Sequence, residues 1–120
     1  MEWYFRGFDA VGKKKWVYGD LVHDKKVTIT GLEDRVKVGG YEVVPESVGL
    51  WTGLKERNGK EIYEGDLVLL EDVGVFNVRY STSMCQFGLY GERGFVDSLK
   101  EILADRYEVV GNIIEKRNEK

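Results

Sequence analysis

Two carboxylates close together, Glu64 and Asp66, and the single histidine, His23, are the side chains in this chain best suited to acid–base chemistry. Paired carboxylates can act as general acid and general base or hold a cation, and an imidazole exchanges a proton near neutral pH. Gly65 separates the carboxylates, however, and a Gly-Asp pair before an apolar run is typical of a sharp turn whose aspartate bonds a backbone N–H. We therefore interpret Glu64 and Asp66 as a structural corner. A hydrolase that uses Glu64, Asp66 and His23 stays as a third alternative.

No spacing in the sequence is typical of a metal or cofactor site. His23 has neither a second histidine nor a cysteine cluster, and the glycines of segment 88–94 are not followed by the GK[ST] of a phosphate loop. Cys85 is the single cysteine, which excludes an intrachain disulfide and favours a reducing compartment. Because no histidine or basic pair adjoins Cys85, we interpret it and Met84 as core filler. We predict no catalytic residue, no metal and no cofactor.

Composition indicates a soluble, strand-rich protein. The 120 residues are 42% hydrophobic and 32% charged, which fits one globular domain. With 15 Gly and one Pro beside seven Tyr and three Trp, strands and tight turns are favoured over helices. The net charge of −3 supplies no basic field for nucleic acid or an anionic membrane. No apolar segment approaches a membrane span and the first residues do not resemble a signal peptide, so we expect a cytoplasmic protein.

The segment 49–70 predicts the centre of a small β-barrel. Asn58-Gly59 lies between Leu54–Arg57 and Lys60–Tyr63, and both central residues tolerate the positive φ of a two-residue type I′ hairpin. Leu67 to Leu70 then forms an apolar run, which is typical of a strand covered on both faces.

The remaining sequence predicts a mainly β chain of two lobes within a single domain, 1–120. Gly39-Gly40 and Pro45 make the region from Gly39 to Glu46 the natural junction, with an N-terminal β lobe at 1–45 and a C-terminal barrel lobe at 46–114. The pattern YGDLV at 18–22 is echoed by YEGDLV at 63–68, and both copies predict a turn followed by a strand. Further strands are expected at Met1–Gly7, Val27–Thr30, Tyr41–Val44, Val75–Tyr80 and Tyr107–Ile114, with a polar return at Gly31–Val38.

One short helix is expected near 97–105. Ser98 and Glu101 have the spacing of a capping box, and Leu99, Ile102 and Leu103 share one face. The last residues, 115–120, are predicted to fray.

Four sequence blocks resemble the YopX family of small proteins encoded by phages and prophages of Gram-positive bacteria. They are FRGFD at 5–9, YGDLVHD at 18–24, VGLWTGLKERNGKEIYEGDLV at 48–68 and YEVVGNI at 107–113. The resemblance implies a mostly β fold with an SH3-like barrel in the C-terminal part, and residence in the host bacterial cytoplasm. It implies no catalytic residue.

The leading functional hypothesis is a non-enzymatic phage or prophage accessory protein that binds a host or phage protein, or itself. Trp3, Trp16 and Trp51 are its candidate anchors, and the alternative is that all three are core. A nucleic-acid-binding small barrel is the second hypothesis, with Lys13 to Lys15 and Arg6 as a local basic patch against an acidic net charge.

Overall fold

The computed structural model describes residues 4–11 and 15–118, the last three of these by backbone alone. The chain is mainly β, as predicted, and divides into two compact units, Met1–Leu50 and Trp51–Lys120. The sequence predicts the junction between the two lobes at Gly39 to Glu46. No helix in the described part of the chain is long and apolar enough to cross a membrane.

In chain order the strands are β1 (Phe5–Phe8), β2 (Trp16–Gly19), β3 (Leu21–Thr28), β4 (Gly31–Val38), β5 (Tyr41–Glu42), β6 (Gly49–Lys55), β7 (Glu61–Tyr63), β8 (Asp66–Leu70), β9 (Gly74–Ser81), β10 (Gln86–Gly91), β11 (Gly94–Ser98) and β12 (Tyr107–Asn112). Two 3₁₀ helices lie at Pro45–Ser47 and Glu101–Arg106, and one α-helix, α1, spans Ile113–Asn118. All the strand pairs are antiparallel.

The N-terminal unit packs two sets of strands around a small valine core. Strand β1 pairs with β2 and with the first two residues of β6, while β3, β4 and β5 form a separate three-stranded sheet. Val17, Val38 and Val43 are buried where these strands meet. Both copies of the Gly-Asp pattern are followed by a strand, as predicted, with Leu21 and Asp66 as the first strand residues.

Strands β3 and β4 make a hairpin of two eight-residue strands, and β3 is longer than the predicted strand at Val27–Thr30. Its register runs without a shift from Leu21 opposite Val38 to Thr28 opposite Gly31. In the charged middle of the hairpin, opposite charges face each other and stabilise the pairing: the Asp24 carboxylate accepts two bonds from the Arg35 guanidinium, at 2.7 and 3.0 Å. Such cross-strand pairs stabilise a strand that hydrophobic periodicity does not reveal.

In the C-terminal unit, five strands form one antiparallel sheet in the order β11, β10, β9, β8, β12. Its core holds five fully buried residues, namely Ile62, Val68, Val78, Leu89 and Tyr107. Within the described residues no ladder joins β11 to β12. The sheet is therefore not closed by hydrogen bonds, and the SH3-like barrel stays a prediction.

The chain reverses at Asn58-Gly59 as predicted, but the predicted type I′ turn is wrong. Gly59 has a φ of 83°, whereas Asn58 does not have a positive φ. The backbone N–H of Glu56 donates to Lys60 O at 2.8 Å, and the Gly59 N–H donates to Glu56 O at 2.9 Å. The loop thus has three residues and ends in a left-handed glycine, the usual pattern of a three-residue hairpin loop.

The helix expected near 97–105 is a 3₁₀ helix at Glu101–Arg106, and its predicted capping box is wrong. Ser98 belongs to β11, and its hydroxyl donates to the Gln86 side chain at 3.0 Å. The helix begins at Glu101, so Lys100 and not Ser98 occupies the N-cap position, and no side chain caps it.

The predicted last strand ends earlier than expected, at Asn112, and α1 overlaps the segment predicted to fray. The Asn112 Oδ1 atom accepts the Glu115 N–H at 2.8 Å, which is the bond of an N-cap. Ile114 is buried and anchors the helix. The spacing of Asn112 and Glu115 in the sequence is itself a capping signal, and it indicates that a helix begins where the strand was predicted to continue.

Candidate functional site

Glu64 and Asp66 form the structural corner that the sequence predicts. Asp66 is 1% exposed, and its Oδ2 atom accepts the backbone N–H of Tyr63 at 2.8 Å. Glu64 Oε2 accepts the N–H of Tyr80 at 3.1 Å. Gly65 turns the chain between them with a φ of 94°. Both carboxylates are engaged by backbone donors, and they position β8 and β9.

His23 lies elsewhere in the chain, on β3 of the N-terminal unit, with an exposed side chain. The structure thus places the three residues of the hydrolase alternative in two different units. Across residues 4–11 and 15–118, no group of three His, Cys, Asp or Glu side chains is arranged to hold a metal ion.

The two Gly-Asp copies differ in burial, which gives a matched test of the corner. Asp66→Ala should lower the free energy of unfolding by about 2 kcal/mol because it leaves a buried N–H without its charged acceptor. Asp20 is the exposed counterpart in the first copy, so Asp20→Ala should change stability by less than about 0.5 kcal/mol. Urea denaturation of both variants measures this. Equal losses would contradict the role given to the Asp66 carboxylate.

Glu56, which the sequence analysis did not single out, is a buried carboxylate with three backbone donors. Its Oε1 atom accepts the N–H groups of Asn58 at 2.7 Å and Lys60 at 3.1 Å, and its Oε2 atom accepts that of Val109 at 3.1 Å. Burial alone would raise the pKa of this carboxyl, but the backbone donors outweigh that effect and the pKa is lowered. Glu56 therefore ties the hairpin loop to the outer edge of β12. Its side chain cannot act as a general base without breaking that tie.

The predicted tryptophan anchors and basic patch are only partly described. Trp3 and Lys13 to Lys14 lie outside the described residues. Trp16 and Trp51 are half-buried, and the Trp51 Nε1–H donates to Leu54 O at 3.2 Å. Arg6 is only 6% exposed, with its guanidinium 4.4 Å from the centre of the Trp16 ring. Arg6 therefore cannot belong to a surface patch, and that part of the prediction is wrong.

The interpretation of Met84 and Cys85 as core filler is wrong. Both side chains are exposed, and Cys85 has a φ of 53° in the turn before β10. The Cys85 thiol contacts Thr82 O at 3.6 Å. The tight turn takes these two residues away from the core although Phe87, just beyond it, packs inward.

An apolar cluster lies exposed at the tip of the β3–β4 hairpin in the N-terminal unit. Val27 and Leu32 face each other across the last part of the hairpin and are 84% and 66% exposed. Ile29 follows in the turn and is fully exposed. We call these three residues the hairpin tip. Burying a side chain of this size is worth about 1.5 to 3 kcal/mol, so the tip is suited to contact another surface.

A second surface feature of the N-terminal unit is an open groove of about 500 Å³ beside β4 and β5. Lys15, Arg35 and Lys37 line it together with Tyr41, and the Lys15 ammonium lies 5.1 Å from the centre of the Tyr41 ring. The groove also contains acidic side chains, Asp9 and Glu42. Its charge is therefore mixed, with a small excess of cations.

No curated protein matches the chain. A family model described as "YopX protein" matches residues 4–118, which is nearly the whole chain. The recurring turn and strand blocks, the mainly β fold and this match together show that the chain belongs to the YopX family.

Proposed function

We propose that this YopX-family chain is a non-enzymatic accessory module of a phage or prophage that works by binding protein, either a second copy of itself or a host or phage protein. The hairpin tip carries the proposal. Three large apolar side chains project from a two-stranded hairpin, beyond the valine core at its base. Exposed apolar groups gathered at one place on a soluble protein mark a contact surface, whereas scattered ones need no explanation.

The hydrogen bonds of the three carboxylates to backbone donors support a binding role over a catalytic one. Glu56, Glu64 and Asp66 each accept backbone hydrogen bonds and shape turns. The hydrolase alternative would need two of these side chains to be released from those bonds and to meet His23. No observation favours it.

The proposal is tested by substituting the hairpin tip. Ile29→Lys places a charge in the turn without disturbing the fold, since Ile29 is fully exposed. We expect the variant to lose the chain's protein contacts, measured as self-association by light scattering and as affinity capture of partners from host lysate with quantitation against wild type. The loss should reach about tenfold in the dissociation constant if the tip lies inside the interface.

Val73→Lys is the matched control. Val73, like Ile29, is an exposed β-branched apolar residue in a turn, but it lies in the C-terminal unit. It should bind as wild type does. The proposal is wrong if wild type is a monomer that captures no partner, or if both variants retain every contact.

A second candidate function is nucleic-acid binding, and the groove is the observation that favours it. Three cations and an exposed tyrosine line one open groove, as in sites where phosphates and bases are bound together. The acidic lining and the net charge of −3 weaken it. Fluorescence anisotropy with single-stranded oligonucleotides at low salt decides: absence of binding, or binding unchanged in Lys37→Glu, removes this function.

The proposal also includes the fold of the C-terminal unit and the cellular location. An SH3-like barrel in the C-terminal unit is supported by its five antiparallel strands. Residence in the bacterial cytoplasm is supported by the single cysteine, since secreted domains of this size are commonly stabilised by disulfides.

A further inference from the structure

We propose that strand β3 pairs antiparallel with β3 of a second copy of this chain across a two-fold axis at Lys25. The inference rests on the proposed function and names its partner. It joins the two three-stranded sheets into one six-stranded sheet.

Strand β3 offers the longest open edge among the described strands. It is terminal in its sheet and has eight residues with neither a bulge nor a proline. The unpaired N–H and C=O groups of such an edge are a template for pairing with another strand.

The backbone groups of alternate residues point outward along this edge. Val36 O accepts the Val43 N–H and so points away from β3, although Val36 lies directly opposite His23. His23 and Val36 are therefore a non-hydrogen-bonded pair of the β3–β4 ladder. By alternation, the backbone N–H and C=O groups of His23, Lys25 and Val27 are directed to the open side. They can form about six hydrogen bonds with the same residues of a second copy.

Symmetry limits the possible registers. A two-fold axis perpendicular to the sheet keeps each face on its own side, so partner residues must both be odd-numbered or both be even-numbered. With the axis at Lys25, Asp24 of each copy faces Lys26 of the other. With the axis one residue earlier, Asp24 would face Asp24, and one residue later Lys26 would face Lys26. Like charges directly opposite destabilise a sheet, and each of these three axes puts one such pair at its centre, including Lys25 with Lys25. Only the axis at Lys25 adds two Asp24–Lys26 pairs beside the central one, so charge complementarity favours it.

The register at Lys25 also extends the side-chain rows of each hairpin. On one face, Arg35, Asp24 and the second copy's Lys26 and Glu33 form a row of alternating charge. On the other face, Val36 and His23 continue into the second copy's Val27 and Leu32. Val27 of the hairpin tip then lies beside His23 of the second copy. The two Lys25 side chains meet at the axis, and each is paired with its own Asp34 at 3.0 Å.

Cysteine cross-linking tests the register. In a Cys85→Ser background, single cysteines replace Lys25, Lys26 or Val27. Residues facing each other across an antiparallel pair are within reach of a disulfide, so Lys25→Cys should form a covalent dimer under mild oxidation. Lys26→Cys and Val27→Cys should remain largely monomeric on a denaturing gel. Preferential cross-linking at position 26 or 27, or at none, overturns the proposed pairing.

Light scattering over a range of concentrations tests the association without cysteines. Wild type should approach the dimer mass, and Val27→Asp should raise the dissociation constant by about tenfold or more. Val73→Asp, the matched exposed valine of the C-terminal unit, should leave the constant unchanged. A monomer at every concentration overturns the dimer. A monomer that still captures another protein through the hairpin tip would leave the proposed function standing, which separates the two failures.

Discussion

Replacing Glu56 with alanine is expected to lower the free energy of unfolding of the C-terminal unit by about 3 kcal/mol. The carboxylate is 5% exposed and accepts three backbone N–H groups, two from its own hairpin loop and one from β12. Alanine leaves all three donors without their charged acceptor and separates the loop from the strand. Urea denaturation followed by tryptophan fluorescence measures the loss, since Trp51 lies in the same unit.

The contribution of Glu56 should also depend on pH. Its pKa in the folded state lies below the ordinary value of 4.5 that applies when the chain is unfolded. A lowered pKa means that the stabilisation is complete above about pH 4.5 and is lost as the pH falls through the folded-state value. The stability difference between wild type and Glu56→Gln should therefore shrink as the pH is lowered below 4.5.

Glu92→Ala is the control for both measurements. Glu92 is exposed in the turn between β10 and β11, so its replacement should change stability by less than about 0.5 kcal/mol. If Glu56→Ala unfolds at the same urea concentration as Glu92→Ala, or if the difference does not change with pH, the role assigned to Glu56 is wrong.

Gly39→Ala is expected to destabilise the N-terminal unit by a similar amount, about 3 kcal/mol. Gly39 has a φ of 58°, and a Cβ atom there would lie 2.3 Å from the carbonyl oxygen of Tyr18. Because that oxygen belongs to the backbone of β2, it cannot move without disturbing the strand. The Gly39 N–H also donates to Asp20 O at 3.1 Å, so the turn is fixed on both sides.

The neighbouring glycine supplies the control. Gly40 also has a positive φ, of 86°, but a Cβ atom there would meet no atom within 4 Å. Gly40→Ala should therefore cost only the backbone strain, about 1 kcal/mol. Thermal denaturation of the two variants separates the effects. Equal shifts in the melting temperature would show that backbone strain alone, rather than the contact with β2, restricts residue 39.

Several elements were predictable because their causes are local. The Gly65-Asp66 corner could be recognised from residue types, since a positive-φ glycine and a carboxylate that bonds a nearby N–H act within a few residues. The reversal at Asn58-Gly59 was predictable for the same reason. Its loop length was not, because Glu56 binds both the loop and a strand 53 residues away.

The hairpin β3–β4 shows the opposite case. Its charged middle has no apolar alternation, and the Asp24–Arg35 pair that stabilises it joins residues of two different strands. The exposure of Cys85 likewise depends on a turn that carries the chain away from the core. The hairpin depends on a pair across two strands, and the Cys85 turn is fixed by the pairing of β9 with β10, so a local pattern reveals neither.

By itself, the sequence determined the strand-rich class, the positions of the main reversals and the structural character of the Gly-Asp corners, because those depend on backbone preferences of neighbouring residues. Only the tertiary structure decided which carboxylate is buried, where the apolar hairpin tip is exposed and which strand edge stays open. Those properties arise from contacts between segments that are distant along the chain, and no single segment encodes them.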